Sequence, residues 1–321
     1  MTKIDIHNVH NNVFVKTFSD PENLRVFLEM ALPKPIKEAI DFSGISIDPT
    51  SYVSDEIKGY FSDTVVKAVM KTTGREETPA DIYILLEHKS SGKKNPLVQV
   101  LKYMYLEWQK DVDQKRELRV IIPLIFYHGK GKWKVPRSFV DQFKVNDEIK
   151  KFLLNYRYVL FDTGEWDFLA EDNRELKDNV FLLTSLVLMK SAFNNDMETI
   201  KEIFNLWHEK GFTDDMEQVV FFLQYIFHVR DISLDKLKKT LEKSNIEGGD
   251  IMPSLAQRLI DQGIEQGIEQ GIEKGIKKGI KEGKYESVKE TARRMLNDDL
   301  PTKDIAKYTG LTEKEIKKLM H

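Results

Sequence analysis

Apolar runs in the first half of the chain predict a small sheet. Asp63 to Thr72 (DTVVKAVMKT) and Asp81 to Ser90 (DIYILLEHKS) are rich in β-branched and apolar residues, and Gly74 lies in the charged segment between them. Two such runs joined by a short polar segment predict a β-hairpin. Val120 to Tyr127 (VIIPLIFY) is almost continuously apolar, as expected of a central strand covered on both faces, and its Pro123 predicts a bulge or a strand edge.

Helical spacing of apolar positions surrounds these strands, and before the first strand the pattern is one of helix and loop. Asp20-Pro21-Glu22 predicts the start of a helix that stops at Pro33. Asn95 to Val112 is an amphipathic helix by the same criterion, Arg157 to Asp162 (RYVLFD) is a further short strand, and Glu171 to Ile246 is helical throughout. The order of elements predicts an α/β fold whose mixed sheet is flanked by helices.

Changes of pattern along the chain predict four regions. The fold prediction is a core over residues 1–170, a helical domain over 171–255, a repetitive helix over 256–284 and a C-terminal helical hairpin over 285–321. In the hairpin, a glycine stands between two short amphipathic segments, Thr302 to Tyr308 and Thr312 to Met320. This arrangement is typical of a DNA-binding helix-turn-helix and equally of a plain helical hairpin.

Glycine recurs every four residues near the C-terminus, at Gly263, Gly267, Gly271, Gly275, Gly279 and Gly283, and isoleucine follows each of the first five. A four-residue period drifts by about 40° per repeat around an α-helix, so the stripe winds around the helix. Each glycine costs up to about 1 kcal/mol relative to alanine. Two interpretations stay open: the segment pairs with a copy of itself or with the main domain, or it is a helical spacer with no partner.

Composition narrows the classes of site. The chain has no cysteine, so disulfides and thiolate metal sites are excluded, and oxygen or imidazole ligands point to Mg²⁺ or Mn²⁺. The net charge of −3 requires any DNA contact to use local basic patches, of which Lys130, Lys132, Lys134 and Arg137 form one and Lys274 to Lys284 another. With no signal-like start and no long apolar run, we expect a cytoplasmic protein without a membrane span.

One group of polar residues has the composition of a metal-dependent hydrolytic site. Asp63 opens the first strand of the predicted hairpin, Glu87 lies near the end of the second, and a turn near Gly74 sets them opposite each other. Lys89 follows Glu87 by two residues, so strand alternation places both on one face. Two carboxylates with a lysine can hold a divalent cation and orient the water that attacks a phosphodiester. An ordinary Glu-Lys pair at a strand end is the alternative.

The chain resembles the Rpn (YhgA-like) family of recombination-promoting nucleases over roughly residues 7–170. Five ordered motifs carry the resemblance: FSDPENLRVFLEMALP (Phe18 to Pro33), YVSDEIKGYFSDTVV (Tyr52 to Val66), YILLEHKS (Tyr83 to Ser90), LVQVLKYMYLEW (Leu97 to Trp108) and IIPLIFYHGKGKW (Ile121 to Trp133). The resemblance implies a restriction-endonuclease-like core of the PD-(D/E)XK type and Mg²⁺-dependent cleavage of DNA.

Residue by residue, the resemblance implies that Asp63 and Glu87 bind the metal and that Lys89 positions the attacking water or helps to deprotonate it. One departure from the pattern is Ser62, which stands where the superfamily motif has proline. The chemistry needs the aspartate and not its neighbour, so this departure leaves the predicted role of Asp63 in place.

Two further residues complete the predicted site: Gln99, on the following helix, as a supporting residue, and Glu56 as an additional metal-binding carboxylate. The spacing of the histidines does not indicate a set of metal ligands. His128 is expected in the turn that follows the central strand. The function predicted is a Mg²⁺-dependent DNA endonuclease that forms a homo-oligomer through the glycine repeat. The alternatives are a non-catalytic DNA-binding or self-assembling protein of the same fold, and a transposase that also joins strands.

Overall fold

A computed structural model describes residues 6–47, 63–71, 78–87, 95–170, 173–193, 197–230 and 232–319 of the chain. The chain divides into two compact units, Met1–Pro253 and Ser254–His321. The first unit contains all the strands of the described chain and most of its helices. Most of the second unit is one long helix followed by a helical hairpin.

Five strands and thirteen α-helices are present in the described residues. The strands are β1 (Ile40–Ile47), β2 (Asp63–Met70), β3 (Thr78–Glu87), β4 (Val120–Tyr127) and β5 (Val159–Asp162). The helices are α1 (Ile6–Phe18), α2 (Pro21–Ala31), α3 (Lys34–Ala39), α4 (Pro96–Asp113), α5 (Asp147–Lys150), α6 (Arg174–Asp178), α7 (Val180–Lys190), α8 (Met197–Glu209), α9 (Met216–Val229), α10 (Leu234–Lys243), α11 (Ile251–Asn297), α12 (Thr302–Thr309) and α13 (Glu313–Lys317). Short 3₁₀ helices cover Phe139–Gln142, Thr163–Glu165, Ser191–Phe193 and Phe212–Asp214.

The strands form one mixed sheet in the order β1-β2-β3-β4-β5. Strands β1, β2 and β3 pair antiparallel to one another, whereas β4 pairs parallel with both β3 and β5. A parallel pair needs a crossover, and α4 supplies it between β3 and β4. The predicted α/β class with a mixed sheet is therefore confirmed.

The N-terminal part of the sheet differs from the prediction. Strand β1, which the sequence pattern assigned to helix and loop, pairs with β2, and its register shifts between Asp41 and Ser46. Helix α2 ends at Ala31, before Pro33, as predicted. A second helix that was not predicted, α3, follows at once: Pro33 caps it and Pro35 lies in its first turn. Proline fits there because the first helical N–H groups need no partner within the helix.

Pro123 also behaves differently from the prediction. It pairs with Tyr83 in a register between β3 and β4 that runs without a shift from Ala80 to Glu87, so no bulge is present. The pairing of β4 with β5 begins only at Leu124, one residue later. Pro123 therefore lies just before the segment of β4 that pairs with β5. Because only β3 pairs with β4 at this position, the missing N–H of the proline removes no hydrogen bond to β5.

The two faces of the sheet bury different side chains. On one face, Phe126 of β4 stacks on Phe161 of β5 with ring centroids 5.3 Å apart, and α1 and α2 add Phe14, Phe18 and Phe27. On the other face, α4 covers a cluster that includes Val65, Ile121 and Ile125. Residues at odd positions of β2 and β4 therefore face α4, because side chains alternate along a strand.

Helices α6 to α10 form the rest of the first unit. Trp207 of α8 is fully buried, and its indole N–H donates to the hydroxyl of Thr184 on α7 at 2.9 Å. Asn179 caps α7 and donates from its amide to Asn23 of α2 at 2.7 Å. The helical region is thus tied to the helices that cover the sheet.

The second unit contains most of α11, whose 47 residues include the whole glycine repeat. Its C-terminal hairpin has a small core of its own, formed by Ala292, Ile305, Leu311 and Ile316. Gly310 ends α12 with φ of 71°, a conformation that glycine adopts without strain. No helix in the described part of the chain is long and apolar enough to cross a membrane.

Candidate functional site

The two predicted metal-binding carboxylates lie on neighbouring strands at the same end of the sheet. Strand β2 begins at Asp63 and β3 ends at Glu87. Asp63 pairs with Leu85 rather than with Glu87, so the observed register differs from the predicted one by two residues. A shift of two keeps both positions on the same face.

That face is the one covered by α4. Asp63 is two residues from Val65, and Glu87 pairs with Tyr127, two residues from Ile125; both Val65 and Ile125 belong to the cluster under α4. The backbone positions of Asp63 and Glu87 therefore face the helix that carries Gln99. Glu87 also ends its strand at the carboxyl edge shared with β4 and β5, the edge where open α/β sheets bind their ligands.

Part of the predicted site lies outside the described residues. Glu56, Lys89 and Ser62 belong to that part, as do the side chains of Asp63 and Glu87. Among the side chains that the structure does describe, no three His, Asp or Glu residues are close enough together to hold a metal ion. The roles of these residues at a metal remain predictions from the sequence.

Gln99 lies near the start of α4, which begins after the cap formed by Asn95. Both amide atoms of its side chain, Oε1 and Nε2, are buried and make no hydrogen bond to the residues that the structure describes. A buried polar group without a partner costs about 1–3 kcal/mol. Such a group is uncommon in a folded protein, and an ordered water, an ion or a ligand is the usual partner.

A cluster of buried charges holds α4 on the sheet. Glu107 is fully buried, and its carboxylate lies 2.7 Å from Lys110, 3.2 Å from Arg119 and 4.0 Å from Lys67 of β2. Asp111, one turn further on, accepts hydrogen bonds from the Arg119 guanidinium at 2.6 and 2.8 Å. These bonds lower the pKa of Asp111 to about 2, against the opposing effect of burial.

Two histidines lie together beneath the opposite face of the sheet. His128, which directly follows β4, is buried with its ring centroid 4.9 Å from that of His10 on α1. The Nδ1 atom of His10 lies 2.7 Å from the hydroxyl of Tyr225 on α9. Burial raises the pKa of Tyr225, which therefore stays a neutral hydroxyl. Local sequence patterns do not predict this cluster, because its members are up to 215 residues apart.

Comparison with known proteins places the chain in a family. The profile described as "Putative transposase, YhgA-like" matches residues 8–218. The chain is 24% identical to the "Inactive recombination-promoting nuclease-like protein RpnE" of Escherichia coli K12, covering 82% of this chain and 85% of RpnE. It is 23% identical to the "Recombination-promoting nuclease RpnA" of the same organism, with 98% of both chains covered.

A third relative is the "Recombination-promoting nuclease RpnC" of Escherichia coli K12, at 23% identity over 79% of this chain and 81% of RpnC. No solved structure gives a significant match to the chain. The profile covers about two thirds of the chain, and the relatives named as nucleases or as inactive nuclease-like proteins match across most of it. The chain therefore belongs to the YhgA-like family, whose members include the Rpn recombination-promoting nucleases.

Proposed function

We propose that the protein is a cytoplasmic, metal-dependent DNA endonuclease with a restriction-endonuclease-like core over residues 1–170. The observation that carries the proposal is the strand register, which brings the backbone positions of Asp63 and Glu87 to one end and one face of a mixed sheet. Membership of a family whose relatives RpnA and RpnC are named nucleases supports the same activity.

The metal in this proposal is Mg²⁺ or Mn²⁺, held by the carboxylates of Asp63 and Glu87 with Glu56 as a third ligand. Carboxylate oxygens are the ligands that these cations prefer. The amide of Gln99 on the facing helix is buried and has no hydrogen-bond partner among the described residues, which fits a site that gains polar partners when it is loaded. A bound divalent cation polarises the phosphate and makes its water more acidic.

The chain's own residues then have distinct tasks in hydrolysis. Lys89 holds the attacking water and helps to take its proton, and Gln99 supports the polar groups of the site. The water oxygen forms a bond to phosphorus while the bond from phosphorus to the leaving sugar oxygen breaks. That oxygen leaves with a proton, so one end carries a phosphate and the other a hydroxyl.

The proposal is tested by incubating supercoiled plasmid with the purified full chain in Mg²⁺, in Mn²⁺ and in EDTA. We expect nicked or linear DNA with either metal and intact plasmid in EDTA. The alternative is a DNA-binding protein that has the fold without the activity, and the relative RpnE, described as inactive, favours it. DNA that is bound in all three conditions and cut in none would establish that alternative.

We also propose that the protein forms a homo-oligomer through the glycine repeat, since cutting both DNA strands needs two active sites. Within α11 the isoleucines of the repeat are 56–59% exposed, and a methyl group added at any repeat glycine meets no described atom within 4 Å. Small residues at four-residue spacing let a second backbone approach closely. The exposed stripe thus fits a second copy of itself.

Charge segregation along the repeat favours an antiparallel pair. Residues 261–273 contain four acidic residues and no Lys or Arg, whereas residues 274–284 contain five lysines and one glutamate. Parallel helices would set like charges side by side, but antiparallel helices set the acidic half of one copy against the basic half of the other. An antiparallel register centred on Ile272 also sets Ile264 opposite Ile280, provided that the two helices wrap around each other to follow the winding stripe.

Cysteine cross-linking tests this arrangement, because the chain has no native cysteine. We expect Ile272→Cys to form a disulfide-linked dimer by itself. Two copies of residue 264 would lie about 24 Å apart, so Ile264→Cys should link only when mixed with Ile280→Cys. Cross-linking of Ile264→Cys alone indicates a parallel pair, and a monomeric mass for the full chain contradicts self-association altogether.

A further inference from the structure

The connection between β4 and β5, residues 128–158, is a strongly basic part of the first unit. It contains eight Lys or Arg residues and three Asp or Glu residues, a net charge of +5 in a chain whose total is −3. A local excess of this size attracts polyanions even though the whole protein carries a negative charge.

The connection has a fixed fold. The indole N–H of Trp133 donates to the hydroxyl of Tyr158 at 2.7 Å, and that hydroxyl donates to the carbonyl of Pro136 at 2.9 Å. The backbone N–H of Phe139 donates to the carbonyl of Tyr156 at 3.0 Å. Trp133 packs against the core under α4. These contacts hold the backbone positions from which the charged side chains extend.

Most of the basic side chains in the connection are exposed and make no ion pair with the residues that the structure describes. Its three acidic residues pair within the connection: Asp141 and Asp147 lie 3.1 and 3.7 Å from Lys150, and Glu148 lies 2.6 Å from Lys151. Six other exposed cations make no ion pair with any residue that the structure describes: Lys130, Lys132, Lys134, Arg137, Lys144 and Arg157. These cations are available to an anionic ligand.

The connection also adjoins the candidate site. It starts at His128, directly after Tyr127, whose backbone pairs with Glu87. Its far end is tied to the first turns of α4, where the hydroxyl of Tyr156 donates to the carbonyl of Leu97, two residues from Gln99. A DNA strand bound to the connection would therefore pass close to the end of the sheet that holds both predicted carboxylates.

Phe152 gives the surface a second kind of contact. Its residue is 87% exposed, more than any other large apolar residue described in the chain, and it directly follows Lys151. A phenylalanine this exposed contributes little to the core. An exposed ring within a basic segment is a combination with which proteins bind single-stranded nucleic acid: the ring stacks on a base while cations of the same segment hold phosphates.

We propose that residues 128–158 form the nucleic-acid-binding surface of the protein. The six exposed cations that make no ion pair with the described residues bind phosphates of a DNA strand, and Phe152 stacks on an unpaired base. This inference rests on the proposed function, since it names the part of the chain that presents DNA to the predicted carboxylates. It assigns the surface to a single strand, or to the opened end of a duplex, in preference to a fully paired helix.

The test is DNA binding by the full chain in EDTA, so that the result does not depend on cleavage. A fluorescent single-stranded oligonucleotide and the matching duplex are titrated at several salt concentrations. The triple variant Lys130→Gln, Lys132→Gln and Lys134→Gln is compared with Lys236→Gln, Lys238→Gln and Lys239→Gln. The control removes the same charge from exposed positions of α10.

We expect the first triple variant to bind the single strand about 100-fold more weakly at 0.1 M salt, because each lost phosphate contact forgoes the release of about 0.7 counterion. The slope of log affinity against log salt should fall in magnitude by about 2. The α10 variant should retain most of the affinity. Phe152→Ala should weaken single-strand binding about tenfold and leave duplex binding unchanged.

Equal losses in the two triple variants, or an unchanged salt slope in the first, would overturn the inference. Preferential binding of the wild-type chain to anionic lipid vesicles, lost in the first triple variant, would assign the surface to a membrane instead. Failure of the proposed function has a different signature: DNA is bound through residues 128–158 and not cut with Mg²⁺ or Mn²⁺.

Discussion

From the buried ion pairs of α4 we predict how the unfolding free energy of the protein depends on Asp111 and on pH. The Asp111 side chain is 2% exposed and takes two hydrogen bonds from the Arg119 side chain, with Arg116 at 3.0 Å. The pKa of this carboxyl falls from 3.8 to about 2 on folding. A shift of this size corresponds to about 2 kcal/mol of unfolding free energy at neutral pH.

The sign of the effect follows from the direction of the shift. A carboxyl whose pKa is lower in the folded state stabilises the protein above the unfolded pKa, near 4, and loses that contribution as the pH falls toward 2. Asp111→Asn should therefore lower the unfolding free energy by about 2 kcal/mol or more at pH 7, since Arg119 also loses a partner. At pH 3 the part due to Asp111 ionisation should be about 1 kcal/mol.

The unfolding free energies of Asp111→Asn and wild type are measured by urea denaturation at pH 7 and pH 3, with tryptophan fluorescence as the signal. All four tryptophans lie before residue 254, so the signal reports the first unit. Asp113→Asn is the matched control: Asp113 is exposed on the same helix and accepts a hydrogen bond only from Gln109 among the described residues, so the change should cost less than about 0.5 kcal/mol. Equal stability of Asp111→Asn and wild type at pH 7 would refute the reasoning.

Three further predictions concern single positions. Phe126→Ala should lower the unfolding free energy by about 3–5 kcal/mol in urea denaturation, because its fully buried ring packs on rings from α1, α2 and β5. Gly129→Ala should cost about 1–3 kcal/mol and lower the melting temperature, since the added methyl carbon would lie 2.1 Å from the hydroxyl of buried Tyr127. Gln99→Leu should leave the melting temperature equal or higher, because it removes a buried amide that has no hydrogen-bond partner among the described residues, and it should abolish plasmid cleavage, because it removes a polar group from the predicted site. A lower melting temperature with full cleavage would contradict the role given to Gln99.

Local patterns predicted the central elements of the fold well. The β2–β3 hairpin was expected from two β-branched runs, and β4 has the predicted bounds, Val120–Tyr127. Asp20 caps α2 as expected and accepts from the backbone N–H groups of Glu22 and Asn23 at 2.9 Å. In each case residues close in sequence decide the structure, through side-chain alternation or capping.

The features that the sequence did not predict depend on contacts between residues far apart in the chain, which no local pattern contains. Strand β1 is half exposed along its length, so its IDFSGISI sequence lacks the apolar run that marked the other strands, and its pairing with β2 decides its conformation. The two-residue difference in the β2–β3 register depends on the turn between the strands, whose geometry composition does not give. The buried contact of His10 with His128 arises because α1 packs on the end of β4, a purely tertiary event.

The candidate site divides in the same way. The sequence predicted that Asp63 and Glu87 lie on one face at one end of the hairpin, and the strand register agrees with this at the level of the backbone. The sequence named Gln99 only as a supporting residue, and the burial of its amide, which has no hydrogen-bond partner among the described residues, depends on the packing of α4 on the sheet. Lys89 and Glu56 stay predictions.

The most direct test of the metal-dependent site is plasmid cleavage by Asp63→Asn and Glu87→Gln beside Glu38→Gln, which changes an exposed carboxylate of α3. Each substitution removes a charge and keeps the size of the side chain, and circular dichroism checks that the variants are folded. We predict that the wild-type chain and Glu38→Gln cut the plasmid in Mg²⁺ and that neither Asp63→Asn nor Glu87→Gln does. Cleavage that persists in both folded variants would contradict the site.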